Sequence, residues 1–217
     1  MLLSGGMDSV CALYHVHAAN PGVLALSFDY GAKHNRQELP RAEWHCRKLD
    51  IEHMVIPLDF MNKALASALL ISGGDIPDGH YTDGVMRQTV VPFRNGIMLA
   101  IAAGIAESRA IEQIVIAAHS GDHPIYPDCR EEFLCAMEQA ISTGTYSKPR
   151  IYRPFVNMDK AAILRRGMEL GVDFARTWSC YKGGELHCGT CGTCVERQEA
   201  FQLAGVPDPT SYRDGAA

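Results

Sequence analysis

A short loop rich in glycine and serine lies almost at the amino terminus and constrains the fold more than any other feature of the sequence. Three apolar residues, 1–3, lead into the string SGGMDS at positions 4–9, and a helical pattern follows. Glycine has no Cβ, so the backbone can approach an anion and adopt positive φ, while the N–H groups of the next helix point at the charge. We therefore predict a strand, a phosphate-binding loop and a helix in succession. A plain strand-to-helix turn capped by serine or aspartate is the alternative.

The loop differs from the Walker phosphate-binding pattern in two ways. No Gly-Lys-Ser/Thr string follows it, and Asp8 stands inside the turn. The string resembles the PP-loop of the ATP pyrophosphatase superfamily. This resemblance implies an enzyme that splits ATP between the α and β phosphates, binds the pyrophosphate in the loop and uses the AMP half to activate an oxygen on a second substrate.

Length and charge favour one domain with a small-molecule substrate. The chain has 217 residues, enough for a single α/β domain spanning 1–217 with a full apolar core. The 20 basic and 25 acidic residues give a net charge of −5, which argues against a large nucleic-acid footprint. The apolar stretch 96–106 is shorter than the ~20 residues of a membrane span, and the first residues lack the pattern of a signal peptide. We expect a cytoplasmic protein.

Short apolar runs alternate with helical patterns along the first half of the chain. The predicted elements are strands at 23–28, 54–58 and 114–118 and helices at 10–19, 38–49 and 95–110. Such alternation predicts parallel βαβ units in a Rossmann-like, doubly wound α/β sheet with flanking helices, whose ligands bind at the carboxyl ends of the strands. The glycine-serine loop, Asp29-Tyr30-Gly31 and His119-Ser120 all fall at such ends.

The rest of the chain is predicted to be mainly helical. Helices are expected at 130–142, 159–170 and 195–203. The stretch 72–88 is rich in glycine and aspartate and has no clear period, so we interpret it as a mobile loop over the site.

Eight cysteines divide into two groups. Four are scattered, and cytosolic proteins usually keep such thiols reduced. The other four crowd together at Cys180, Cys188, Cys191 and Cys194. Four thiolates without an open position indicate a structural tetrahedral zinc site within a segment spanning 178–204. Disulfides and an iron–sulfur cluster are the alternatives, and His187 is interpreted as a neighbour of the metal or a surface residue.

Five strings together resemble the 7-cyano-7-deazaguanine synthase (QueC) family of queuosine biosynthesis over nearly the whole chain. In the family's order and with similar spacing, they are SGGMDS at 4–9, FDYGAKH at 28–34, VPFRN at 91–95, YPDCREEF at 126–133 and the four-cysteine cluster. The resemblance implies a PP-loop, adenine nucleotide α-hydrolase-like fold and an ATP-dependent ligase that forms C–N bonds.

The resemblance also implies a reaction. The carboxylate of 7-carboxy-7-deazaguanine attacks the α phosphate of ATP, and ammonia displaces AMP to give an amide. A second ATP activates the amide oxygen, and loss of AMP leaves the nitrile. The implied cofactors are ATP, Mg²⁺ and Zn²⁺, and the implied partners are the deazaguanine, ammonia and a second copy of the chain in a homodimer. Mg²⁺ and cationic side chains would spread the charge that develops at the phosphate.

Matching positions carry the implied roles. Catalysis is assigned to Asp8, which is also a partner of Mg²⁺, and to Lys33, Arg94 and Lys160. The nucleotide site comprises Ser4, Gly5, Gly6, Met7, Asp8, Ser9 and His34. The deazaguanine site comprises Tyr30, Asn95, Tyr126, Asp128 and Arg130.

Each role has a plainer alternative. Helix capping is the alternative for the two carboxylates, Asp8 and Asp128. Exposure to solvent, at a helix start or in a surface ion pair, is the alternative for Lys33, His34, Arg94 and Lys160. Cys129 is interpreted as a packing residue, because adenylate chemistry needs no thiol.

Three segments depart from the family pattern, all near the expected substrate pocket. Phe93 replaces the usual glycine, His119-Ser120-Gly121 replaces a string that contains asparagine, and His123-Pro124-Ile125 replaces a small, flexible stretch. An alternative function therefore stays open, in which adenylation is retained but the acyl group is transferred to another amine, such as a protein amino group, as is thought for relatives in bacterial defence loci.

Other classes of protein share parts of the pattern. A PP-loop enzyme that thiolates tRNA shares the adenylation step and uses cysteines to relay sulfur or hold an iron–sulfur cluster, but the acidic charge and the lack of a basic domain oppose it. A glutamine-hydrolysing synthetase would need a further amidotransferase domain. A zinc-ribbon binding module with a decayed nucleotide site is opposed by the intact SGGMDS string.

Overall fold

Parallel strands form the centre of the structure, a computed structural model that describes residues 1–79, 87–122 and 126–213. The strands are β1 (Leu24–Asp29), β2 (Glu52–Pro57), β3 (Gln113–Val115) and β4 (Arg150–Tyr152). β1 pairs with β2, and β3 pairs with β4, both in parallel.

The amino-terminal segment 1–3 joins the two strand pairs. The Leu2 N–H donates to the carbonyl of Val115 at 2.9 Å, and the Leu3 N–H donates to the carbonyl of Leu26 at 2.8 Å. The resulting order is β2–β1–segment 1–3–β3–β4. The chain order reverses on either side of this segment, so the loop that follows it opens at a topological switch point, where doubly wound sheets bind their ligands.

Seven α-helices are described along the chain. They are α1 (Met7–Ala19), α2 (Asn35–Lys48), α3 (Asp59–Ala64), α4 (Arg94–Ser108), α5 (Glu131–Gly144), α6 (Lys160–Glu169) and α7 (Gly192–Ala204). Short 3₁₀ turns cover Ser120–Asp122, Pro127–Cys129 and Phe174–Arg176.

Apolar side chains cover both faces of the sheet. Leu2 and Leu26 pack into one buried cluster with Leu99 of α4. Leu3 and Ala25 point the other way, into a second cluster that contains residues of α1 and α6. Neighbouring residues of a strand face opposite sides of a sheet, so this division confirms the predicted doubly wound α/β architecture with helices on both faces.

The observed helices and strands differ from the predicted ones where the sequence shows no clear spacing of apolar residues. β4 and α3 were not predicted, because β4 has three residues of which only Ile151 is buried, and α3 has only six residues. α2 begins at Asn35 and contains Pro40. The N–H of Glu38 already donates to the carbonyl of His34 at 3.0 Å, so the helix starts before the predicted residue 38.

The described part of the predicted loop 72–88 is attached to the cysteine segment. The Gly79 N–H donates to the carbonyl of Thr190 at 2.7 Å. The carboxylate of Asp78 accepts hydrogen bonds from Lys182 and from the Thr190 hydroxyl. Residues 80–86 of the predicted loop lie outside the described residues.

One stretch, Arg87–Ser108, is long and apolar enough to cross a membrane, with 22 residues and a mean hydropathy of 1.5. Half of its most apolar 18-residue segment is buried inside the fold. α4 lies within this stretch and packs apolar residues such as Leu99 and Ala103 into the core. A core helix of an α/β fold can therefore be as long and as apolar as a membrane span.

Phe93 occupies a backbone conformation suited to glycine. Its φ is +53°, in the left-handed region that L-residues other than glycine adopt at a cost of roughly 1–2 kcal/mol. The ring is 57% exposed and packs edge-on against Phe133, with centroids 5.6 Å apart. The family's usual glycine therefore fits the backbone requirement here, and the bulk of Phe93 does not line the cavity described below.

Candidate active site

A cavity of about 220 Å³ opens at the carboxyl ends of segment 1–3, β1 and β3. Its wall includes the glycine-serine loop, the start of α2, the start of α4 and the segment 178–181. The predicted sites converge here because parallel strands place the loops that follow them at one edge of the sheet.

The glycine-serine loop is shaped by its own hydroxyl groups. Ser9 Oγ accepts the N–H groups of Ser4 and Gly5 at 3.2 and 3.3 Å, and Ser4 Oγ accepts the N–H of Gly6 at 3.0 Å. Gly5 has φ +98°, and a Cβ there would lie 2.2 Å from the carbonyl oxygen of Glu38. A side chain at this position would therefore push α2 away from the loop.

The start of α1 carries no side-chain cap. Gly6 is its N-cap, and among the residues that the structure describes no side chain caps the first free N–H groups of the helix. These donors and the positive end of the helix dipole favour an anion at the cavity. Met7 is buried in the apolar core, so it contributes its backbone and not its side chain to such a site.

Asp8 lies in a cluster of opposite charges. Its Oδ2 is 3.6 Å from Nε2 of His119 and 3.8 Å from Nζ of Lys160. Lys160 also contacts Glu196 on α7 at 2.6 Å, and His119 contacts Asp122 at 3.5 Å. α6 begins where the Asp159 carboxylate accepts the Ala162 N–H, which places Lys160 at the helix start.

The charges within this cluster set its protonation. Burial alone would raise the pKa of Asp8, but Lys160 and His119 outweigh it and lower the pKa to about 2. Burial likewise opposes the charged forms of Lys160 and His119, yet Asp8 and its neighbouring carboxylates raise the pKa of both. The cluster therefore presents an ionised Asp8 beside a cationic Lys160 and a histidine whose protonated form is favoured.

The donor set at Asp8 fits a hard divalent cation. Asp8 Oδ1 is buried and has no hydrogen-bond partner among the described residues. An unsatisfied carboxylate oxygen is the ligand that Mg²⁺ prefers, and the ion usually completes its shell with water and phosphate. Asp122, whose pKa is raised by burial, lies on the same wall.

Arg94 stands on the wall among tyrosines. Its Nη1 donates to the Tyr30 hydroxyl at 3.4 Å, and its guanidinium lies 6.0 Å from the ring centre of Tyr126. The hydroxyls of Tyr126 and Tyr181 are 3.0 Å apart. Arg94 keeps its charge, because these groups raise its pKa although burial opposes it. Arg94 is half-buried, and a guanidinium fixed in this way suits a carboxylate or a phosphate.

His34 reaches the cavity, and Lys33 does not. His34 is buried, and burial together with Arg94 lowers its pKa to about 3, so its imidazole is neutral. Its ring lines the cavity, and its place in the nucleotide site stays a prediction. Lys33 Nζ donates to the carbonyls of Ala68, Gly73 and Gly74, so it holds the 67–74 loop and lies off the cavity wall.

The YPDCR string has a structural task at α4. Asp128 accepts the backbone N–H of Asn95 at 2.8 Å and so caps α4, not the following helix. The Asn95 amide contacts Sγ of Cys129 at 3.1 Å. Tyr126, Asn95 and Cys129 line the cavity, whereas Asp128 and Arg130 are not among its lining residues.

The four cysteines form one compact cluster. The sulfur atoms of Cys180, Cys188, Cys191 and Cys194 are all buried and within 4.8 Å of one another. Zn–S bonds of about 2.3 Å in a tetrahedron place sulfurs roughly 3.8 Å apart, and Cys188 and Cys194 are at 3.9 Å. The cluster therefore fits a four-thiolate metal ion.

Backbone N–H groups point at the sulfurs, as expected for thiolates. Cys188 donates to Sγ of Cys180 at 3.3 Å, and Thr190 and Cys191 donate to Sγ of Cys188 at 3.4 and 3.2 Å. Such donors stabilise negative charge on metal ligands. His187 is a buried neighbour and not a ligand, since its Nε2 accepts the Ser179 N–H and its ring stacks 4.0 Å from Trp178.

Several charged and polar residues of the cavity were not predicted from the sequence, among them Glu38, Tyr181, Glu196 and Arg197. Glu38 follows His34 by one helical turn, and Glu196 and Tyr181 directly flank the cysteine cluster, which are the only sequence signals for them. Arg197 is fully buried and donates to Thr177, Phe174 and Asp208, so it ties α7 to the cavity wall.

The sequence matches the model of the queuosine biosynthesis protein QueC over residues 1–205. A curated 7-cyano-7-deazaguanine synthase from Porphyromonas gingivalis is 56% identical over 212 residues, which cover 98% of this chain and 96% of the relative. The synthase from Desulfotalea psychrophila is 50% identical over 212 residues, which cover 98% and 97%.

Solved structures share the fold at low sequence identity. The tRNA thiolase NcsA from Methanococcus maripaludis, with its 4Fe-4S cluster, has a TM-score of 0.51 at 14% identity, and the match covers 80% of this chain and 56% of the thiolase. The NMN synthetase from Francisella tularensis has a TM-score of 0.51 at 15% identity, with 95% and 76% covered. At these identities the likeness shows a common PP-loop-like α/β fold alone.

Proposed function

Because the chain belongs to the family of the queuosine biosynthesis protein QueC, we propose that it is a 7-cyano-7-deazaguanine synthase, an ATP-dependent, AMP-forming ligase. One observation carries the proposal: a single cavity joins an uncapped helix start behind a glycine-serine loop to a half-buried guanidinium among tyrosines. The first suits the phosphates of ATP and the second suits the carboxylate of a planar substrate.

The proposed reaction activates an oxygen with ATP twice, first on the carboxylate and then on the amide, and each activation releases pyrophosphate and then AMP. The carboxylate of 7-carboxy-7-deazaguanine attacks the α phosphate of ATP and releases pyrophosphate. Ammonia then adds to the acyl carbon, and AMP leaves with the transferred oxygen and a proton goes to solvent. The amide oxygen attacks the α phosphate of a second ATP and releases a second pyrophosphate, and departure of AMP together with the two protons that remain on nitrogen leaves the nitrile.

The described side chains divide this work between them. The first N–H groups of α1 bind the pyrophosphate, and Lys160 neutralises charge at the α phosphate, because it is held cationic within 3.8 Å of Asp8. Arg94 holds the carboxylate, and Tyr30, Tyr126 and Tyr181 exclude water around it. Electrostatic stabilisation by fixed charges in a dry cavity is the main source of catalysis here.

Two metal ions belong to the proposal. Mg²⁺ would be held by Asp8, and it would neutralise charge on the triphosphate. Zn²⁺ would be held by the four cysteines as a structural ion. The cluster spacing fits zinc, and the absence of colour in the purified protein would separate zinc from an iron–sulfur cluster, which is brown.

The remaining parts of the proposal concern the state of the protein. We propose one domain over 1–217, a homodimer, free ammonia as the nitrogen donor and a cytoplasmic location. The free thiols Cys11, Cys46 and Cys129 support a reducing compartment. Light scattering on the purified protein tests the dimer.

Product analysis tests the proposed function. Pure protein is incubated with ATP, Mg²⁺, 7-carboxy-7-deazaguanine and ammonium, and the products are identified by mass spectrometry. We expect the nitrile with two AMP released for each nitrile. Release of AMP without nitrile would reject the synthase and favour transfer of the acyl group to another amine. Asp8→Ala is the matched variant, and equal activity in variant and parent would remove the loop from the mechanism.

A further inference from the structure

A carboxylic side chain that the proposed mechanism does not use lies beside the glycine-serine loop. Glu38 is on the first turn of α2, and its side chain is 13% exposed. An ideal Cβ on Gly6 would lie 3.4 Å from Glu38 Oε1, and Glu38, Gly6 and Ser4 line the same cavity. A negative charge at this position would repel the phosphates that the loop is built to bind.

We propose that Glu38 is a proton-linked part of the nucleotide site and binds a phosphate oxygen as a neutral carboxylic acid that donates a hydrogen bond. A protonated carboxyl has one O–H donor, so it adds a donor to the N–H groups of α1 where an ionised carboxylate would add repulsion. The inference rests on the nucleotide part of the proposed function and is independent of the acceptor.

The surroundings of Glu38 favour the neutral acid. Burial raises its pKa to about 8, against the attraction of Arg94 and Arg41, which lower it. His34 Nε2 is 3.7 Å from its Oε2, but the imidazole is neutral and offers no compensating charge. A bound phosphate brings further negative charge and would raise the pKa of Glu38 more.

Other titratable groups face the same cavity from each neighbouring element. Those on its wall are Tyr30 after β1, His34 on α2, Arg94 on α4, Asp8 on α1, Asp122 after β3, Cys129 before α5, Lys160 on α6, Tyr181 near the cysteines, and Glu196 and Arg197 on α7. Two more lie behind the wall: Arg41 on α2, whose charge acts on Glu38, and His119 after β3, which contacts Asp8 and Asp122. Tyr30, Lys160, His119 and Asp122 also have raised pKa values, and the imidazole of His119 and the carboxylate of Asp122 are competing sites for a proton. The test must therefore separate Glu38 from them.

Calorimetry with a non-cleavable ATP analogue and Mg²⁺ makes the separation. Binding is measured at pH 8.5 in two buffers that differ in ionisation enthalpy, which gives the number of protons taken up. We expect uptake of up to about three quarters of a proton by the unmodified enzyme, because a carboxyl with a pKa of about 8 is ionised to that extent at pH 8.5. We also expect a Kd that rises up to tenfold for each pH unit above about 8. Binding without proton uptake would overturn the inference, whereas a complete lack of nucleotide binding would instead reject the proposed function.

Glu38→Gln supplies the matched variant, because the amide keeps the shape and a hydrogen-bond donor without titrating. We expect the variant to bind the analogue at pH 7 within about threefold of the parent and to take up no proton at pH 8.5. A Kd at least tenfold weaker at pH 7 would show that the ionised carboxylate is used, as a metal ligand or a base. Unchanged proton uptake would assign the proton to another group. The measurement on the unmodified enzyme stands even if the variant does not fold.

Discussion

Single residues in this cavity are defined by the charges around them. Asp8 is an ordinary carboxylate in the sequence, but Lys160 and His119 hold it ionised and leave its Oδ1 free for a cation. Glu38, in the same cavity, shows the opposite shift: burial raises its pKa by more than the charges of Arg94 and Arg41 lower it. Two carboxylates thus have different protonation states in one site, and each state suits a different task with a nucleotide.

The backbone position of Gly5 yields the first prediction. Gly5→Ala places a Cβ 2.2 Å from the carbonyl of Glu38, at a φ of +98° that alanine resists. We expect nucleotide affinity to fall at least tenfold. Gly104→Ala, on α4 with nothing within 4 Å of the added Cβ, is the control. It should bind normally and be as stable or slightly more stable, since alanine is favoured over glycine in helices by roughly 0.5–1 kcal/mol.

Glu38 also predicts how stability depends on pH. Its folded pKa of about 8 lies above the unfolded value of 4.5, so the folded state holds a proton that the unfolded state releases between those values. The parent should therefore lose stability as pH rises from about 4.5 to about 8, and then no further from this source. Glu38→Gln should remove this loss.

Thermal unfolding from pH 5 to 9 measures the effect. We expect Tm of the Gln variant to exceed that of the parent at pH 8.5 by more than about 2–4 °C, the shift produced by ~1 kcal/mol in a chain of this length. The gap should shrink toward pH 5. Glu112→Gln, at an exposed position, should show no such trend. Parallel curves for parent and Glu38→Gln would contradict the assignment.

At the scale of elements, the sequence predicts sites whose residues are close together in the chain, and it does not predict contacts between residues that are far apart in the chain. SGGMDS and the four cysteines were found because their members are close in sequence. Lys33 was misplaced, because adjacency to His34 does not tell which side chain turns inward. Glu196 was missed because its partner Lys160 is 36 positions away. β4 was not predicted, because three residues are too few to show the alternation of apolar and polar residues that indicates a strand.

The cysteine segment links the metal cluster to the cavity wall, and this predicts the effect of metal loss. Cys188→Ser, or chelation, should lower Tm by at least about 5–10 °C and reduce activity, since Tyr181 and the anchor of Asp78 lie on this segment. Cys135→Ser, at an exposed thiol away from the cluster, is the control. Metal analysis should find one zinc per parent chain. A stable, active Cys188→Ser protein without metal would contradict a structural role.

At the scale of the whole molecule, the sheet order explains why the chemistry is in one place. Segment 1–3 lies between β1 and β3, so the loop after it meets the ends of both neighbouring strands. Tyr30 follows β1 and His119 follows β3, on either side of Asp8. The alternation of strands and helices predicted this arrangement, because it follows from βαβ connectivity and not from any individual contact.

The central claim is that a carboxylate oxygen attacks the α phosphate of ATP, and oxygen-18 tests it most directly. The substrate is 7-carboxy-7-deazaguanine with both carboxylate oxygens labelled, and AMP, pyrophosphate and the deazaguanine product are analysed by mass spectrometry. We predict one labelled oxygen in each AMP, two labelled AMP for each nitrile and no label in pyrophosphate. Label in pyrophosphate or phosphate, or unlabelled AMP, would contradict the claim.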